Sequence, residues 1–153
     1  MLDFKLPVAN RTSAKQIAEF EASRRLKLPA SYRAFLLGEN GGYPVQSVFP
    51  IVGPNAASEW MIEVFFGIAA SNPSNDLATA FDAYTGGIPA DILPIGGDGM
   101  ANYVCLDLRF SGEKIVLWDK RNFWGTGKWS EADIYPIASS FADFLTLLEI
   151  PQD

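Results

Sequence analysis

Residues 92–108 read ILPIGGDGMANYVCLDL, Ile92 to Leu108, and the fold follows from how this stretch divides. Gly96, Gly97 and Gly99 bracket Asp98 in a tight loop, because glycine admits backbone angles that other residues resist. Asn102 to Leu108 then reads as a strand. Val104, Leu106 and Leu108 fall on one side, and Tyr103, Cys105 and Asp107 on the other. Apolar residues on both sides predict a central strand covered on both faces. A second apolar run, Lys114 to Lys120, follows the turn Phe110-Ser111-Gly112-Glu113, which makes the pair a β-hairpin in the middle of a sheet.

Outward from this hairpin, the flanks alternate between helical and extended patterns. Ser13 and Gln16 fit a capping box for a first helix, with Ile17 and Phe20 buried and an end near Arg25. Pro29 suits the first turn of a second helix whose stripe is Tyr32, Phe35 and Leu36. Asn40-Gly41-Gly42 closes it. Ser47 to Val52 is an edge strand interrupted by Pro50, and Gly53 to Ser58 a turn. Trp60 to Phe66 alternates as one strand. Asp76 caps a third helix that Gly86 and Gly87 stop. Asn122 to Ser130 is expected as a loop carrying Phe123, Trp124 and Trp129, and Ile134 to Ile137 as an extended segment. A final helix capped by Ser139 or Ser140 buries Phe141, Phe144, Leu145 and Leu148. The pattern predicts one α+β domain over residues 1–153 rather than an alternating α/β fold.

Composition bounds the function. At 153 residues the chain can bury roughly 70% of its unfolded surface. A net charge of −6 argues against a nucleic-acid binder, which needs clustered Lys and Arg. The charge is uneven: residues 1–54 carry net +3, residues 55–119 net −7 and residues 120–153 net −2. Such an acidic middle block either is simply solvated or attracts a cationic partner. The single cysteine, Cys105, sits in the central strand and is expected to be a small buried apolar residue. No apolar run reaches membrane-span length and Met1 to Arg11 lacks a signal-peptide core, so a cytoplasmic protein is expected.

There is no histidine, so the usual general base near neutral pH and the commonest zinc ligand are missing. The chain has no GxSxG and no Walker loop, since Met100 and Ala101 stand where Lys and Ser or Thr would hold phosphate and magnesium. Asp98 and Asn102 are better suited to bonding the backbone of a tight turn than to holding a metal. Glu63, Asp107 and Asp119 lie at or near strands, and could serve a carboxylate-based hydrolase only if two of them converged in a deep pocket. Otherwise they are solvated or pair with Lys114 and Lys120. Trp60 and Trp118 read as core. Trp124 and Trp129, in a Gly-rich loop, read equally as core or as interface anchors.

The ordered set of motifs resembles the SUKH superfamily. Leu28-Pro29-x-x-Tyr32-x-x-Phe35-Leu36 with Asn40-Gly41-Gly42 looks like its N-terminal signature. Pro94-Ile95-Gly96-x-Asp98-Gly99, Tyr103-Val104-Cys105-Leu106-Asp107 and Ile115-x-Leu117-Trp118-Asp119 are similar to its central block, and Ser140-Phe141-x-x-Phe144-Leu145 to its closing helix. Lys120 departs from the His or Glu of many members, and Met100-Ala101 from a small, Gly-like pair; both departures are expected at the surface. The resemblance implies a twisted, mostly antiparallel sheet flanked by helices, no catalytic residues and no cofactor. Bacterial members are typically immunity proteins that neutralise a secreted toxin, often a nuclease or deaminase; fungal relatives are non-catalytic regulators. On this reading the partner is a cationic protein toxin. Glu63, Asp98, Asp107 and Asp119 supply charge, and Trp124 and Trp129 are the anchors. The alternative is a scaffold or regulatory module that binds a host protein.

Overall fold

The computed structural model describes residues 2–51, 58–110 and 113–152. Its centre is a five-stranded antiparallel meander: β5 (Val64–Phe65), β6 (Ile92–Gly97), β7 (Asn102–Asp107), β8 (Lys114–Asp119) and β9 (Ile134–Ala138), each hydrogen-bonded to the next. Two small antiparallel pairs stand beside it, β1 (Phe4–Leu6) with β2 (Tyr43–Pro44), and β3 (Val48–Ile51) with β4 (Ser58–Met61). The helices are α1 (Ala14–Arg24), α2 (Ala30–Gly38), α3 (Leu77–Ala83), α4 (Arg121–Thr126) and α5 (Phe141–Leu147). The α+β architecture is the one the sequence pattern predicts.

Side-chain alternation along β7 divides the core in two. Val104 and Leu106 face one way, with Leu93, Ile95, Ile115 and Leu117 from the adjacent strands, and join the main core under α1, α2 and α5. Phe141 of α5 meets Tyr32 and Phe35 of α2 with ring centroids 5.0 and 5.2 Å apart, and tilted or edge-on aromatic contacts of this kind add to plain area burial. Cys105 faces the other way with Ile92, Val116 and Trp118, under a thinner cover of Tyr84, Ile88, Phe123, Trp129 and Ile134. The thiol is buried and free, and burial pushes its pKa far up.

The caps follow the residues that predict them. Ser13 accepts from the Gln16 N–H, Asp76 from the Thr79 N–H and Ser140 from the Asp143 N–H. Asn40 takes a left-handed conformation after α2. Its buried amide then ties three segments together, donating to the Asn10 and Ile68 carbonyls and accepting from the Ile68 N–H.

Three expectations are corrected. Trp60 to Phe66 is not one strand: β4 ends at Met61, and after Ile62 and Glu63 the chain enters a different sheet as β5. Ile62, Val64, Phe65 and Phe66 are all buried, so no two-sided alternation survives. Gly96 and Gly97 belong to β6 rather than to the loop. A Cβ on Gly96 would lie 2.5 Å from Ile62 Cδ1 and 2.6 Å from the Val64 carbonyl, so glycine is what lets β5 approach. Finally, residues 122–126 of the expected loop belong to the short helix α4, which starts at Arg121 and is closed by Gly127 at φ +70°. Most of the turn expected at Gly53 to Ser58, and Ser111-Gly112 of the hairpin turn, lie outside the described residues.

Candidate functional site

The β6–β7 turn is built by Asp98. One carboxylate oxygen accepts from the Met100 N–H at 2.8 Å and the Asn102 N–H at 3.2 Å; the other accepts from Asn102 Nδ2 at 2.7 Å. Gly99 turns the chain at φ +77°, and a Cβ there would run into the Glu63 carboxylate. Glu63 is carried to this place by the β4–β5 break, where its N–H donates to the Gly97 carbonyl at 2.8 Å. Asp119 arrives from β8, directly opposite Asn102 in the ladder. Arg121 holds the Asp119 carboxyl below the usual carboxylate range through hydrogen bonds as short as 2.6 Å.

These elements enclose an open cleft of about 230 Å³. Its lining includes Tyr43, Glu63, Phe66, Asn102, Tyr103 and Lys120, with Met100 at the mouth. Met100 is 79% exposed, and Trp124 of α4, 57% exposed, stands beside Lys120. The sequence points to Lys120 as a surface residue. Instead it is only 5% exposed, with Nζ 3.4 Å from the centroid of the Tyr103 ring and flanked by Tyr84 and Trp124 at 5.7 and 5.4 Å. Burial pulls its pKa down to about 8, opposed in part by Asp98. Burial also raises the Tyr103 hydroxyl to about 12. No signal in the sequence marks Lys120 for this role: it follows an exposed-looking Asp and precedes an Arg. Only the fold of Tyr103 beneath it and Trp124 beside it makes the box.

Four of the six residues singled out from the sequence, Glu63, Asp98, Asp119 and Trp124, thus gather at one end of the sheet. Asp107 and Trp129 do not join them. Asp107 closes the other end of β7, roughly 16 Å away for five strand steps. It is 3% exposed and paired with Arg109 at 3.0 Å. Arg109 also reaches Glu131 at 2.6 Å, and these two carboxylates raise its pKa. Trp129 donates to Glu131 from its indole N–H and packs against Trp118 with ring centroids 5.5 Å apart. The pairs expected with Lys114 and Lys120 are replaced by these arginine pairs. Among the described residues no three His, Cys, Asp or Glu side chains come together to hold a metal, and no helix is long and apolar enough to cross a membrane.

Comparison with known proteins gives the domain its class. Residues 11–147 match the model of the SMI1 / KNR4 family (SUKH-1), and the chain belongs to that family. One relative is the SPbeta prophage-derived uncharacterized protein YokK of Bacillus subtilis (strain 168), 27% identical over 146 residues, spanning 86% of this chain and 71% of the relative. A solved structure, a protein from Pseudomonas syringae pv. tomato, matches with a TM-score of 0.49 and 18% identity over 76% of this chain and 73% of that one.

Proposed function

We propose that this protein is a non-enzymatic immunity protein that binds and neutralises a cognate secreted toxin, using the end of the sheet around the cleft. The observation that carries the reading is the SUKH-1 family match over residues 11–147, since bacterial SUKH members are typically immunity proteins. The geometry supports where the partner binds. Exposed Met100 and Trp124 are the kind of side chain that anchors interfaces, and they stand among Glu63, Asp98 and Asp119. An acidic rim suits a toxin that must itself approach a polyanion and so presents a basic cleft. Asp107 and Trp129 take no part in this version of the site, because they lie at the other end of β7, away from the cleft.

The test is co-expression with the product of the adjacent gene, followed by titration calorimetry of the purified pair. A complex that weakens on charge reversal at Glu63 and on Trp124→Ala is the expected result. Failure of the neighbouring product to bind, or binding indifferent to both changes, overturns the reading or its location respectively. The scaffold alternative is favoured instead if the gene stands at an isolated locus and the protein captures a host protein through the same cleft.

A further inference from the structure

Two opposite charges face the cleft, and neither has an ion-pair partner among the described residues. Lys120 is nine-tenths buried, yet it forms no ion pair and donates no side-chain hydrogen bond among the described residues. Its neighbours are the faces of aromatic rings, which attract a cation but do not accept its N–H groups as a carbonyl would. Glu63 lines the same cleft, packed on Gly99, and its carboxylate accepts no hydrogen bond among the described residues. The two do not close on each other as an ion pair. A lysine whose stem is buried and whose ammonium opens only onto a cleft, with no ion-pair partner, is costly to keep, and such a group in a cleft is a candidate for binding.

We propose that the cleft is a recognition pocket for one uncharged dipolar group, the side-chain carboxamide of an asparagine or glutamine on the bound protein. Its carbonyl oxygen accepts from Lys120 Nζ, and its N–H donates to Glu63. The inference rests on the protein-binding reading above. Other chemistries leave a mismatch. A carboxylate satisfies Lys120 but meets Glu63 and Asp98 at the rim. An ammonium or guanidinium satisfies Glu63 but lies against the Lys120 ammonium. An apolar side chain leaves both groups dehydrated and unpaired. The volume, about 230 Å³, lies below the usual range for cofactor or drug-sized ligands and suits a single side chain. Val64, Phe66 and Tyr103 in the lining can take its methylene stem, and Met100 and Trp124 supply an apolar collar outside it.

The experiment needs no toxin. The isolated protein is titrated with propionamide, propionate, propylammonium and alanine at matched ionic strength, while NMR follows the Trp124 indole N–H and the Lys120 ε-methylene. Propionamide is expected to shift both resonances saturably, with an apparent Kd roughly tenfold below those of the charged probes. K120M and E63Q should each weaken it by about the same factor. Glu63 is exposed, so E63Q keeps the fold and gives a second readout independent of any repacking around K120M. Tighter binding of propionate, propylammonium or alanine, no response to any probe, or propionamide shifts unchanged in both variants overturns the assignment. Because no partner is present, a toxin that binds while propionamide fails removes the pocket and leaves the immunity reading standing. The reverse result removes the immunity reading alone.

Discussion

At the Asp107 end of β7, Arg109 bridges two carboxylates, and Trp129 bonds to one of them. At the Asn102 end, Glu63 and Lys120 share a cleft without forming an ion pair, beside an exposed tryptophan. Both ends combine acid, base and indole. The difference is whether the fold itself completes the pairing. Where it does, as at Arg109 and also at Asp119 with Arg121, the charges hold structure; Glu63 and Lys120 have no ion-pair partner among the described residues, and on the proposed reading they meet the bound protein.

The comparison breaks if the matched end proves dispensable, so the largest effect is expected there. Arg109→Ala leaves the buried Asp107 with only the residue-109 backbone N–H as partner, and should destabilise the protein by about 3 kcal/mol in urea unfolding. Partner affinity extrapolated to the folded state should not change. At the open end, Trp124→Ala should do the opposite: lose about 2 kcal/mol of partner affinity, roughly thirtyfold in Kd by calorimetry, with stability altered by less than about 0.5 kcal/mol.

Lys120→Met sharpens the contrast through pH. The folded-state pKa of about 8 lies below the ordinary 10.5, so between those values the unfolded chain holds a proton that the folded one has released. Stability therefore rises with pH across that window, and below pH 8 the folded protein bears the whole burden of the buried charge. Tyr84, Tyr103, Trp124 and Asp98 face the amine and offset part of it, while the Cys105 thiol stays neutral there. Lys120→Met should stabilise by about 1–2 kcal/mol at pH 7, with the gain shrinking toward pH 10.5 in paired thermal melts. The smallest effect is charge reversal at Glu63. It should slow association about two- to tenfold at low salt, and the gap should close as salt is added, in stopped-flow traces. Glu63 is the clean acid for this test, since reversing Asp98 would also dismantle the turn.

The helices and the central hairpin were legible in the sequence because each is written locally. Ser13, Asp76 and Ser140 announce their helices, Asn40 the end of one, and the alternation from Tyr103 to Leu106 announces a strand. The change of sheets at Ile62 and Glu63 was not legible. Alternation says which residues share a side, but only the side-chain-free Gly96 across the gap determines where β5 lies. The site was half legible for the same reason. Asp98, Asp119, Glu63 and Trp124 could be named from charge and composition, but grouping them needs the β7–β8 register. The same reading could not separate Asp107 from them, because its partner Arg109 lies two positions on and looks like any surface arginine. Lys120 was misplaced, since burial of a lysine depends wholly on what lies beneath it.

Cys105 has a consequence of another kind. Its sulfur sits in the middle strand of the meander, sealed on the Trp118 side, with its proton held tightly by burial. The thiolate is the nucleophile that attacks a disulfide-exchange dye and releases its thiolate, so the dye meets nothing that reacts with it until the meander parts. The rate of dye release at increasing temperature then reports how often the sheet opens, with no engineered probe site. The protein carries its own gauge of how often it opens.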